Sequence, residues 1–244
     1  MIARVKADDV RRLYDERYAA SYDRKFLETD PIDADTRHQL ELVGSLLRPG
    51  DRWLDAACGT GYFLARFPDV ERAGFDVSPA MIALARGRNP GVDLRLHDLR
   101  DPLPEWRERF GLVSCMWYAY SLVDTLDEIA QVLANFADWT APDGRWFIPL
   151  ADPDLIAGVA IPDGFPWVFS GGEMRINGIV WSFVEDEEGE TKRHRHLVSP
   201  SIAWMREEAG RHFETIEIVH FPQVAEMAPR PALVASGRRP RRPG

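Results

Sequence analysis

Two cysteines in 244 residues are too few for a disulfide framework, which points to a reducing compartment. No run of about 18 apolar residues exists, so nothing is long enough to span a bilayer. The opening residues, Met-Ile-Ala-Arg-Val-Lys-Ala-Asp-Asp, lack the apolar core of a signal peptide, and a cytoplasmic protein is expected. Cationic excess is missing as well. Lys and Arg number 30 against 39 Asp and Glu, a net charge of −9. Binding a polyanion needs clustered positive charge, so neither nucleic acid nor a membrane surface is an expected partner. There is no internal repeat. The one biased stretch is the tail Gly237–Gly244, four Arg among Pro and Gly, expected to be solvated and disordered. What is present, 244 residues of which 45% are apolar, suits one domain, or one domain carrying a large insertion.

Along the chain, residues 8–25 read as a helix, with Val10, Leu13, Tyr14, Tyr18 and Tyr22 at three- and four-residue steps. A second helix over 34–47 stops at Pro49-Gly50. Short apolar runs then alternate with helical ones. Strands are expected at Asp51–Ala57, Glu71–Asp76, Val92–His97, Gly111–Trp117 and Arg145–Leu150, with helical spacing at Tyr62–Phe67, Pro79–Arg86 and Leu126–Trp139. Ser78-Pro79 and Thr125-Leu-Asp-Glu128 are helix starts, the second a capping box. Repeated strand–helix–strand units predict right-handed crossovers and a parallel sheet covered on both faces. After Leu150 the rhythm breaks. Residues 151–199 hold Gly, Pro and alternating aromatics, then a helix at 201–212 and strands at Thr215–Phe221 and Ala232–Ser236, expected to pair antiparallel. The boundaries are therefore 1–50 (helices capping the site), 51–150 (α/β core), 151–199 (β-rich insertion), 200–236 (end of the core) and 237–244 (tail).

Chemistry concentrates at three successive strand ends. The first strand ends in Asp55, and Ala57-Cys58-Gly59-Thr60-Gly61 then turns sharply into the next element. The glycines let a ligand approach the backbone. The third glycine of a dinucleotide fingerprint is absent, and the Asp55 carboxylate would repel a phosphate, so a nicotinamide-dependent oxidoreductase is the weaker alternative. Asp76, twenty-one residues beyond Asp55, closes the second strand and suits the two hydroxyls of a ribose. His97-Asp98-Leu99 closes the third and offers an acceptor and an apolar wall to an adenine ring. Together they describe one crevice at the carboxyl edge of the sheet.

These stretches resemble the class I S-adenosylmethionine-dependent methyltransferases. Leu-Asp55-Ala-Ala-Cys58-Gly59-Thr60-Gly61 is similar to their first motif, and Gly74-Phe-Asp76-Val-Ser78-Pro-Ala-Met81 to their ribose motif. The resemblance extends through His97-Asp98-Leu99, Cys115-Met116-Trp117 and the Asp143-Gly144 turn before strand five. It implies a Rossmann-like doubly wound, mostly parallel seven-stranded sheet with an antiparallel last strand, plus the insertion as a lid. It implies S-adenosylmethionine as cofactor, S-adenosylhomocysteine as product, and a small-molecule acceptor methylated on O or N, such as a sugar, peptide or secondary-metabolite intermediate. Asp55 with the Ala57, Cys58, Gly59 and Gly61 loop would hold the methionine end, and Asp76 the ribose. Val77 and Met81 would meet the adenine ring with Asp98 and Leu99. Met116 and Trp117 would border the methyl group. Tyr14, Tyr18 and Tyr22 resemble tyrosines that small-molecule methyltransferases place over the cofactor; ordinary packing of an amphipathic face is the other reading.

The proton acceptor is less defined. Relatives acting on the amino group of activated sugars often carry a Ser-Ser-Ile-Gly-His-like stretch after strand four. Here the stretch is Trp117-Tyr118-Ala-Tyr120-Ser121-Leu122, with Leu122 at the position of that His. Tyr18, Tyr118 and Asp124 are the catalytic candidates. Tyr120, Trp167, Trp181, His194 and His196 are candidates for the acceptor, although a solvated basic edge strand is the better reading of the two histidines. No metal is expected, and the chain would act as a monomer or homodimer. A non-catalytic module that holds the cofactor or its product is the third reading.

Overall fold

The computed structural model describes residues 5–162, 164–167, 172–187, 190–225 and 228–240, without the side chains of 5–6, 165–167, 172, 185–187, 190 and 192–195. In chain order the elements are α1 (Val5–Leu13), α2 (Glu16–Phe26), α3 (Ile32–Leu46), β1 (Arg52–Ala56), β2 (Glu71–Asp76), α4 (Pro79–Arg88), β3 (Asp93–Leu96), β4 (Phe110–Ser114), α5 (Leu126–Trp139), β5 (Thr140–Pro149) and α6 (Pro153–Ala157). They continue as β6 (Phe165–Trp167), β7 (Gly172–Met174), β8 (Gly178–Glu187), β9 (Glu190–Pro200), α7 (Ile202–Gly210), β10 (Phe213–His220) and β11 (Pro231–Arg238).

Seven strands form one sheet in the order β10-β11-β5-β4-β1-β2-β3. The pairs among β1 to β5 are parallel, and β11 runs antiparallel to both β5 and β10. This is the Rossmann-like sheet with an antiparallel last strand. Strand order reverses between β1 and β4, so a crevice opens beyond their carboxyl ends. Successive residues of β1 point to opposite faces: Trp53 packs with Leu112 and Phe147, while Leu54 packs with Phe75, Phe136 and Trp146. Burial on both faces fixes the register, because a slip of one residue would exchange the two cores.

Several boundaries differ from the sequence reading for local reasons. The helix expected over 8–25 is two helices, because the Asp15 carboxylate accepts from the Tyr18 N–H at 2.9 Å and starts α2 afresh. The helical run at Tyr62–Phe67 is a single 3-10 turn, Leu64–Arg66, ended before Pro68. Strand β4 stops at Ser114 rather than Trp117, and Trp117 and Tyr118 follow in left-handed backbone with φ of 51° and 60°. The expected tail begins too early: Arg238 still pairs with Phe213 and bonds Glu108 at 3.0 Å, and Arg239 Nε donates to the Gly210 and Phe213 carbonyls. The last four residues lie outside the described ones.

The insertion carries α6 and two antiparallel hairpins, β6–β7 and β8–β9, neither paired with the main sheet. The base of the longer hairpin is anchored. Leu197, Val198 and Ser199 are buried, and Trp181 Nε1 donates to Ser199 Oγ at 2.8 Å.

Candidate active site

A cleft enclosing about 920 Å³ opens at the carboxyl edge of β1, β2 and β3, and its walls include Asp55, Asp76 and Asp98. Asp55 closes β1 opposite Ser114 of β4, the register that parallel pairing imposes. Ser114 Oγ donates to Asp55 Oδ1 at 2.8 Å and itself accepts from Trp53 Nε1 at 2.9 Å, which fixes the carboxylate's orientation. Among the described residues Asp55 Oδ2 is buried with no hydrogen-bond partner. Burial pushes this carboxyl up to about 7; the Ser114 hydrogen bond opposes the rise and the Asp76 charge adds to it. A buried carboxylate with an open oxygen is a site waiting for a cationic donor.

Asp76 is held by the backbone. Oδ2 accepts from the Gly59 N–H at 3.0 Å and Oδ1 from the Ser78 N–H at 2.8 Å, so the ends of the glycine loop and of β2 are tied together. Burial raises its pKa to about 6 against the lowering by the Ser78, Gly59 and Val77 backbone. Asp98 forms a forked ion pair with Arg100, at 2.9 Å to Nε and 2.7 Å to Nη2, and Arg100 also reaches Glu128 at 3.3 Å. The carboxylate assigned to an adenine amine is thus already paired, and Arg100 lines the cleft beside it.

Ala57, Cys58, Gly59, Val77, Met81, Leu99, Met116 and Trp117 all line this cleft, as do Tyr14 from the link between α1 and α2 and Tyr22 from α2. Gly61 does not. It has φ of +70° and lies behind the loop, where a Cβ would come within 2.5 Å of Asn89 Nδ2 and 3.1 Å of Ala85 Cα. Its task is to let the loop pack on α4. Burial raises the Cys58 thiol well above its usual range, so it stays protonated as part of the wall.

Helices α1 and α2 cover the cleft at three attachments. Arg11 Nε donates to the Val77 carbonyl at 3.2 Å, and Ser78 Oγ to the Tyr14 carbonyl at 2.6 Å. Asp23 of α2 pairs with Arg88 of α4 and accepts from Thr60 Oγ1 at 2.5 Å, while Arg88 Nη1 donates to Thr60 Oγ1 at 2.9 Å. Tyr14 and Tyr22 meet at 6.1 Å between ring centroids. Among the described residues no helix is long and apolar enough to cross a membrane, and no group of three or more His, Cys, Asp or Glu is placed to hold a metal.

The catalytic candidates are scattered. Tyr18 is 1% exposed, edge-on to Tyr14 at 5.1 Å, and packs against Met81 instead of lining the cleft. Asp124 lines no cavity described here: its N–H donates to Glu128 Oε2 at 2.7 Å, and its carbonyl accepts from His196 Nε2 at 2.9 Å. Tyr118 faces a second cavity of about 480 Å³, shared with Trp181, Asp152 and Arg230. Tyr120 is no acceptor contact. It is buried in the core, and its hydroxyl accepts from the Ala151 N–H at 2.9 Å. His196 is exposed, with φ of 59° at the register shift between β8 and β9, and pins the hairpin to Asp124. The side chains of Trp167 and His194 lie outside the described residues. The sequence reading missed Ser114, Arg100 and Arg230; only Ser114 carried a signal, as a polar residue ending an apolar strand.

The residues fit S-adenosylmethionine. The unpartnered Asp55 oxygen suits the ammonium group of its methionine part, Asp76 sits where a ribose hydroxyl pair can be taken, and Val77, Met81 and Leu99 supply an apolar wall. The comparisons agree with this. The "Methyltransferase domain" family matches residues 54–144, the stretch that builds the cleft floor. The chain is 30% identical over 162 residues to the dTDP-3-amino-3,4,6-trideoxy-alpha-D-glucopyranose N,N-dimethyltransferase of Streptomyces venezuelae, covering 62% of this chain and 68% of that protein. It is 32% identical over 123 residues to the dTDP-4-amino-2,3,4,6-tetradeoxy-D-glucose N,N-dimethyltransferase of Saccharopolyspora spinosa, covering 48% of this chain and 49% of that protein, about half of the relative's length. Among solved structures, a SAM-bound amino pentose methyltransferase from Micromonospora echinaspora superposes with a TM-score of 0.54 at 21% identity, over 85% of this chain and 97% of that one. A protein from Pyrococcus horikoshii superposes with a TM-score of 0.61 at 19% identity, over 91% and 98%. These last two share the fold. The chain belongs to the class I S-adenosylmethionine-dependent methyltransferases.

Proposed function

We propose that this protein transfers a methyl group from S-adenosylmethionine to a nitrogen or oxygen of a small molecule. The observation that carries the reading is the buried Asp55 oxygen without a partner, at the switch point of the sheet and beside the Asp76–Gly59 contact. When bound, the cofactor supplies an electrophilic methyl group on a sulfonium. The protein's own contribution is placement. Asp55 takes the ammonium, with Ser114 holding the carboxylate in orientation. Asp76 exchanges part of its backbone bonding for ribose hydroxyls. Helices α1 and α2, latched through Asp23 and Arg88, exclude water and set the aromatic faces of Tyr14 and Tyr22 on the cleft.

Relatives that act on dTDP-amino sugars support nitrogen as the acceptor atom. The cleft itself weighs the other way for an amino sugar: Leu122 lines it where such relatives often carry a histidine, and among the described residues the histidine that lines it is His97. His97 is occupied, its Nε2 bonding the Asp101 carbonyl at 3.0 Å. An uncharged amine attacks first and loses its proton afterwards, so it needs no base in the attacking step. The test joins calorimetric titration of S-adenosylhomocysteine with transfer of radiolabel from S-adenosylmethionine to a panel of amines and alcohols. Binding with transfer to an amine supports the reading. Binding without transfer to any acceptor favours a non-catalytic module, and no binding overturns the assignment of the cleft.

A further inference from the structure

The second cavity adjoins the cofactor cleft through one feature of the backbone. Trp117 and Tyr118 stand consecutively in the left-handed region, which strains a non-glycine residue and persists only where the surroundings enforce it. The consequence is that neighbouring rings serve different spaces: Trp117 lines the cofactor cleft and Tyr118 lines the second cavity. Arg230 lies over both, with its guanidinium 5.0 Å from the Trp117 centroid and 5.8 Å from the Tyr118 centroid. It is itself fixed by an ion pair to buried Asp35, which also accepts from Gln39 Nε2 at 2.7 Å.

The second cavity is lined by two aromatic residues, Tyr118 and Trp181, together with Asp152 and Arg230, while Leu155 and Ile156 leave 44% and 38% of their surface exposed at its edge. Aromatic faces beside planar charged groups suit a ring with apolar C–H faces and a polar rim of hydroxyl or amino groups. The charges select further. Arg230 is ion-paired with Asp35, and Asp152 adds a second carboxylate, with His220 close enough to act on its charge. A ligand bringing a carboxylate or diphosphate into this space would enter against the field.

We propose that the cavity between Tyr118, Trp181, Asp152 and Arg230 is the acceptor subsite, and that it takes a ring bearing hydroxyl or amino groups and no anionic group, delivered past the Trp117–Tyr118 turn to the cofactor. This rests on the methyltransferase reading above. Arg230 acts as a positioning residue for the turn, and Asp152 and Trp181 contact the ring. Asp152 caps α6 by accepting from the Asp154 N–H at 3.0 Å, so Asp152→Asn keeps the cap and removes the charge.

The test is saturation-transfer NMR on protein loaded with S-adenosylhomocysteine, using three probes: the methyl glycoside of an amino-deoxyhexose, tricarballylate and thymidine diphosphate. The glycoside alone is expected to receive saturation. Its signal should weaken about tenfold in Asp152→Asn and in Trp181→Ala. Calorimetric affinity for S-adenosylhomocysteine should stay within about twofold in both, because neither residue lines the cofactor cleft. Saturation of either polyanion and not the glycoside, no saturation of the glycoside, or a glycoside signal indifferent to both substitutions would each overturn the subsite. Failure of S-adenosylhomocysteine to bind the unmodified protein overturns the methyltransferase reading instead, and is seen before any probe is added.

Discussion

The two cavities on either side of the Trp117–Tyr118 turn are built on opposite plans. The cofactor cleft is made by the ends of β1, β2 and β3 and the turns that follow them, with its key carboxylates between Asp55 and Asp98. Its shape is set by backbone: Gly59 and Ser78 N–H groups hold Asp76, and parallel register puts Ser114 beside Asp55. The second cavity draws Tyr118, Asp152, Trp181 and Arg230 from three connections of the main sheet, Asp152 and Trp181 sharing the insertion, and is shaped by side chains. A ligand common to a whole family can be held by a rigid sheet edge, whereas one that differs between members is better met by loops, which vary without cost to the core.

The largest effect is expected where the first cavity depends on backbone. Gly61→Val places a branched side chain at φ +70° against Asn89 and Ala85. Strain and overpacking should cost about 2–4 kcal/mol, seen as a fall in melting temperature of roughly 5–15 °C and loss of S-adenosylhomocysteine binding. A variant that melts and binds as the parent does would show that the loop is no more constrained than the second cavity.

Acidity gives the next contrast. Asp55, pushed up to about 7 by burial, must be ionised to receive an ammonium group. Affinity for S-adenosylhomocysteine should therefore fall about tenfold between pH 8 and pH 6, and that dependence should flatten in Asp55→Asn. The sign for the empty fold is opposite. A carboxyl whose folded pKa lies above its unfolded value binds extra protons when folded, so the empty protein gains stability as pH falls from 8 toward 5. Melting curves across that range, with and without the product, separate the two slopes. A common slope would contradict the role given to Asp55.

The smallest effect belongs to the cover. Asp23→Ala removes the bond to Thr60 and the pair with Arg88, a partly exposed contact whose worth is modest. A loss of affinity of about two- to fivefold and faster amide exchange in α2 are expected, with the melting temperature hardly changed. Unaltered exchange in α2 would mean that packing of Tyr14 and Tyr22, and not the latch, keeps the cover in place.

The same difference in construction decided what could be read in advance. Asp55, Asp76 and Asp98 each end a short apolar run, so their convergence follows from strand–helix alternation alone. The antiparallel β10–β11 pair followed from its short connection. The break at Asp15 was harder, because tyrosine spacing continues across it and only the cap reveals it. Tyr120 and Tyr18 look like site residues in a row of tyrosines, yet the 3-10 turn and the α2 packing turn both inward. Arg230 could not be foreseen at all. Its ion pair with Asp35 spans nearly the whole chain, and its contact with Trp117 exists only because that turn is left-handed.

The most direct measurement is calorimetric titration of S-adenosylhomocysteine into the parent protein and Asp76→Ala at pH 8. Among the described residues Asp76 makes no ion pair, and its bonds are to the Gly59 and Ser78 backbone, so its removal should leave a folded protein. One-to-one binding by the parent, weakened at least about tenfold in the variant, is the predicted result, since losing hydrogen bonds to a charged carboxylate costs about 1.5–3 kcal/mol. Equal affinity in the two proteins, or no binding by either, would contradict the placement of the cofactor at this edge of the sheet.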